Sequence, residues 1–128
     1  MKSFTDLAQS EQLTEILPIE SADMIYSPLG NNYPWVWHEE VKLLERNATH
    51  CWSLAALYSI LPNNENISVT LYRDGLDKWK CECDIRFKIN SSIPNVFATS
   101  ADNSVDACYE MIVKLHELNP IGLWRNSM

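Results

Sequence analysis

With 128 residues the chain has room for one domain with a core of its own, and its 46% hydrophobic and 21% charged content is that of a globular protein. No low-complexity tract and no internal repeat occurs. Seventeen acidic against ten basic side chains leave a net charge of −7. That balance excludes the basic surplus that nucleic-acid phosphates or an anionic membrane surface require.

The opening residues, MKSFTDLAQSEQ, carry an early lysine but no apolar segment, so neither a signal peptide nor a membrane anchor is expected. An intracellular, cytoplasmic chain is the expectation. The four cysteines then read as reduced thiols rather than a disulfide frame, and the sequons at Asn47, Asn66 and Asn90 as chance.

Ser3 and Asp6 have the spacing of a capping box, and Leu7, Leu13, Ile16 and Leu17 share a helical face, which predicts a first helix over residues 4–17. Three prolines, Gly30 and two adjacent asparagines make residues 18–34 mostly loop, with a short extended piece over Ala22–Tyr26. The next stretch, YPWVWHEEVKLLERN, is ambiguous: Trp35, Val36 and Trp37 alternate as a strand does, whereas Val41, Leu44 and Glu45 fit a helical turn.

Residues 49–61, THCWSLAALYSIL, predict a central helix. Apolar residues cover nearly its whole circumference, Thr49 is placed to cap it and Pro62 ends it. An element of that kind must be covered on several sides.

Beyond Pro62 the period changes. Ile67, Val69 and Leu71 alternate with polar neighbours, and Arg73-Asp74-Gly75 supplies a turn. Residues 79–89 then alternate cleanly, with Trp79, Cys81, Cys83, Ile85, Phe87 and Ile89 on one face and Lys80, Glu82, Asp84, Arg86 and Lys88 on the other. A third strand follows Pro94 over Asn95–Thr99, and the short connections require an antiparallel meander. A last helix spans Ser104–Leu118. Its stripe is Val105, Cys108, Met111, Ile112 and Leu115, its cap Asp102 or Asn103, and its stop Asn119-Pro120. Ile121, Leu123 and Trp124 are expected to fold back on the core.

Together these elements predict a single α+β domain. A three-stranded antiparallel meander packs against a central apolar helix and a C-terminal helix, with an N-terminal helix added.

Candidate sites follow from the same reading. Cys51 falls in the first turn of the predicted central helix, where the dipole favours a thiolate, and His50 is its neighbour. Cys51-Trp52-Ser53-Leu54-Ala55-Ala56 resembles the nucleophile helix of papain-like and transglutaminase-like cysteine enzymes. The resemblance implies a cysteine-dependent hydrolase or transferase whose base is a histidine on a later strand. Here His38 and His50 precede the cysteine, and the later His116 lies near the end of a helix.

Cys81-x-Cys83, with Cys51, Cys108, His50 or His116, has donors for zinc. Residues two apart on a strand stand about 6.6 Å apart, however, and both cysteines continue an inward apolar row, so core packing is the reading and no metal or cofactor is expected. Asp102, Asn103, Ser104 and Asp106 are accounted for by helix capping. Tyr33, Pro34, Trp35 and Trp37 form the candidate contact surface for a protein partner or for self-association, weighed against a loop that pins itself to the core.

Three blocks, Ser21–Met24, Cys51–Leu57 and Ser100–Ile112, resemble a group of small proteins carried by prophages and mobile elements of gut Bacteroidales. That resemblance implies an intracellular accessory protein of a bacterial host and brings no activity, cofactor or catalytic residue with it.

Overall fold

The computed structural model describes residues 2–26, 34–36, 49–75, 77–86 and 95–118. Phe87, Ile89, Tyr33, Trp37, His38 and the segments 38–48 and 119–128, on which several expectations fell, lie outside them. The described residues form three helices, α1 (Leu7–Ile16), α2 (Leu54–Ile60) and α3 (Ser104–Leu118), and two three-stranded antiparallel sheets. The fold is α+β, with the meander packed against helices as the periodicity requires.

The meander is β4 (Ile67–Arg73), β5 (Trp79–Ile85) and β6 (Val96–Ala101), in that spatial order. Its register runs unbroken from Ile67 opposite Ile85 to Arg73 opposite Trp79, and from Trp79 opposite Ala101 to Asp84 opposite Val96. Cys81, Cys83 and Ile85 are buried while Asp84 is exposed, which is the period of two written in the sequence. Gly75 at φ +82° makes the β4–β5 turn, a backbone region that costs any residue with a Cβ. Helix α3 lays Val105, Cys108, Met111, Ile112 and Leu115 on the sheet, each at 0% exposure. Lys114, on its flank, stands 5.2 Å over the Phe97 ring.

The first helix is shorter than its expected span. Asp6, not Ser3, is the N-cap: its carboxylate accepts the Gln9 backbone N–H at 2.8 Å, and the Gln9 side chain accepts the Asp6 N–H at 3.1 Å. The cause lies far along the chain. Thr5 N–H donates to the Trp52 carbonyl at 2.9 Å and Leu54 N–H to the Ser3 carbonyl at 3.1 Å, which keeps residues 3–5 extended. Leu13, Ile16 and Leu17 are buried as expected, but Leu7 is half exposed.

The central helix is corrected in the same way. Residues Thr49–Cys51 are a strand, β3, not a helical turn, because they pair with β1 (Met24–Tyr26): Met24 opposite Cys51, Ile25 opposite His50 and Tyr26 opposite Thr49. The cap is Ser53, whose hydroxyl accepts the Ala56 N–H at 3.2 Å, and not Thr49. Nor is α2 enclosed. Ala56, Leu57 and Ile60 face inward, whereas Tyr58 is 42% exposed.

Strand β2 (Trp35–Val36) completes this first sheet in the order β2-β1-β3. No helix among the described residues is long and apolar enough to cross a membrane.

Candidate functional site

Cys51 ends β3, and the alternation of a strand turns it away from its neighbour His50. Its thiol is wholly buried in a polar cluster with Thr5, Ser10 and Tyr26. The Thr5 hydroxyl lies 2.8 Å from that of Ser10 and 3.5 Å from the Cys51 sulfur, and it accepts the Trp52 backbone N–H at 3.2 Å. The Thr5 carbonyl accepts both the Tyr26 hydroxyl at 2.7 Å and the Cys51 S–H at 3.4 Å. Burial pushes the Cys51 thiol above its usual range and outweighs the opposing bonds from Thr5, Ser10 and Tyr26. Burial likewise raises the Tyr26 phenol. A nucleophilic cysteine needs the opposite shift and an open face. The helix-first-turn position expected to favour a thiolate is absent, since α2 begins three residues later.

Of the two described histidines, neither is among the groups bonded to that sulfur. His50 is half-buried and lines a groove of about 240 Å³ between α1 and β3, with Glu11, Thr14, Glu15 and Thr49. His116 is exposed in the last turn of α3, a helix that packs on the meander, α2 and α1.

A larger and more polar cleft, about 520 Å³, opens where β6 meets α3, lined by Gln9, Lys78, Thr99, Asp102, Asp106 and Glu110 among others. Asp106 is its best-held carboxylate. It accepts Lys2 Nζ and Gln9 Nε2, each at 2.8 Å, and Asn103 Nδ2 at 2.8 Å. Its burial works to raise the carboxyl, but those three donors and the Lys2 charge prevail and hold it below the usual carboxylate range. Asn103 is the residue that caps α3, its side-chain oxygen accepting the Asp106 N–H at 2.8 Å. Lys78 pairs with Asp102 at 2.6 Å on the rim, where both are well exposed.

Cys81, Cys83 and Cys108 are free, buried thiols. Among the described residues no group of three or more His, Cys, Asp or Glu side chains is placed to hold a metal ion.

Of the aromatic candidates, Trp35 falls on β2, paired with Ile25, while Tyr33 and Trp37 lie outside the described residues. Among the described residues, β2 is an outer strand of its sheet. Sequence reasoning missed the Thr5–Ser10–Tyr26–Cys51 cluster and the Lys2–Asp106 pair. Residues that form them stand up to 104 positions apart, and no local pattern marks such contacts. Comparison with protein-family models, with curated proteins and with solved structures found no match.

Proposed function

We propose that this chain is a non-enzymatic accessory protein that binds a protein partner or a second copy of itself through the segment around Tyr33, Trp35 and Trp37. The observation that carries the reading is the place of β2: Trp35 and Val36 pair with Ile25 and Met24 on one side, and no other described strand pairs with them on the other. An outer strand offers its backbone N–H and C=O groups to an added strand. Neighbouring tyrosine, tryptophan and proline supply contact area at little cost in side-chain entropy. The closed, raised thiol of Cys51 supports a structural part for that residue. The three blocks similar to prophage proteins support an accessory role in the cytoplasm of a bacterial host.

The test is the double variant Trp35→Ala/Trp37→Ala, compared with the parent by sedimentation over a range of concentrations, by pull-down from the host lysate and by thermal melting. Loss of self-association or of a specific partner, with the melt retained, is the expected result. Global unfolding of the variant would assign the tryptophans to the core, and a parent that stays monomeric and captures nothing the variant does not also capture overturns the reading.

A further inference from the structure

Three of the four cysteines lie in the core between the meander and α3, and Thr99 ties the turn of α3 that carries one of them to the strand position of another. Cys81 on β5 stands opposite Thr99 on β6 in the sheet register, about 5 Å away between Cα atoms. Thr99 donates its hydroxyl to the Ala107 carbonyl at 2.8 Å, which pins to that same point of the sheet the turn of α3 carrying Cys108. Both sulfurs are fully buried and unbridged. We propose that Cys81 and Cys108 are an oxidisable dithiol, which a hydroperoxide converts into a disulfide stapling α3 to β5.

The neighbouring Cys108, then burial, holds the Cys81 thiol above the ordinary range, and Cys81 in turn lowers Cys108, which makes Cys108 the attacking sulfur. In the first step the Cys108 thiolate attacks the hydroperoxide. An S–O bond forms, the O–O bond breaks, and the departing oxygen takes up a proton to leave as water or an alcohol. In the second, the Cys81 sulfur attacks the sulfenic acid, the S–S bond forms, and the S–O bond breaks to release water that carries away the Cys81 proton. Two thiols lose two electrons and the hydroperoxide gains them. Cys83, on the same face of β5, is raised to about 12 by burial and by the Asp84 charge, so it is the poorer nucleophile of the three. Because both sulfurs are shielded, the rate is set by how often α3 lifts from the sheet.

The experiment exposes the full chain to hydrogen peroxide at neutral pH overnight, alkylates the remaining thiols in denaturant and maps the unreduced digest by mass spectrometry. The expected product is one intramolecular link, Cys81 to Cys108, lighter by two hydrogen atoms and reversed by a dithiol reductant, with an upward shift of the melting midpoint. Cys108→Ala, checked for folding by circular dichroism, should lose both the link and the shift. Recovery of Cys81 and Cys108 as alkylated thiols overturns the proposal. So does a main disulfide that uses Cys51 or Cys83 or joins two chains.

Discussion

The two sheets are held by different chemistry. The meander is a regular ladder whose inward row belongs to one apolar cluster with α1, α2 and α3, running from Leu13 through Trp52 and Val69 to Leu115. Ile25, Tyr26 and Cys51 of the first sheet are just as buried but stand outside that cluster. Among the described residues, Tyr26 and Cys51 bond to Thr5, whose hydroxyl also meets that of Ser10, and the nearby Asp23 accepts both the Ser53 N–H at 2.9 Å and the Ser53 hydroxyl. Apolar burial is non-directional and tolerates small shifts, whereas a buried hydroxyl network holds only while every member has its partner. The first sheet therefore fixes one geometry for residues 3–5 and 49–53, and the second supplies most of the driving force.

The largest break in this comparison is expected on the meander side. Ile112→Ala removes a wholly buried side chain between α3 and the sheet and should cost about 2–5 kcal/mol, read as a lower urea midpoint at unchanged slope. A loss under about 1 kcal/mol would mean that the helix does not carry the core in the way its burial indicates.

On the other side the decisive substitution changes polarity and not volume. Thr5→Val keeps the shape of a side chain at 0% exposure but deprives the Trp52 N–H and the Ser10 hydroxyl of their partner. The expected cost is about 1–3 kcal/mol. Thr5→Val/Ser10→Ala should recover part of it, because removing both members of a buried pair is cheaper than orphaning one. If the double variant is less stable than the sum of the singles, hydroxyl pairing does not hold the first sheet.

This difference also explains what could be read in advance. The bounds of α3 and its stripe of Val105, Cys108, Met111, Ile112 and Leu115 were legible because the helical period is local, and so were the alternating positions of β5. Residues 49–51 were misread as helix. Apolar Cys51 and Trp52 continue the pattern of the helix beyond them, and nothing within a few residues reveals the pairing with Met24–Tyr26. The capping of α1 shifted from Ser3 to Asp6 for the same kind of reason, since Ser3 is committed through its carbonyl to Leu54. For the candidate site, residue types were legible and juxtapositions were not. The sequence places Cys51 in the first turn of an apolar helix, whereas its pairing in β3 and its burial beside Thr5, 46 positions away, decide its chemistry.

The smallest effect concerns the clasp between the two regions, where Lys2 and Gln9 of the N-terminal segment reach Asp106 at the start of α3. The Asp106 carboxyl is lowered in the folded chain from the ordinary 3.8, so the folded state binds its proton less readily than the unfolded one. Stability from this group is therefore complete above the ordinary value and lost as pH falls past it through the lowered one. Lys2 has the opposite sign: its ammonium is raised above 10.5, the two carboxylates outweighing its burial, so its share persists through neutral pH and disappears as pH climbs beyond that value. Both groups are partly open to water, which limits the gain to about 1 kcal/mol or less. Asp106→Asn should flatten the difference in urea midpoint between pH 6 and pH 3 while leaving the meander's own burial untouched. An acid limb as steep as the parent's would assign the loss to other carboxylates.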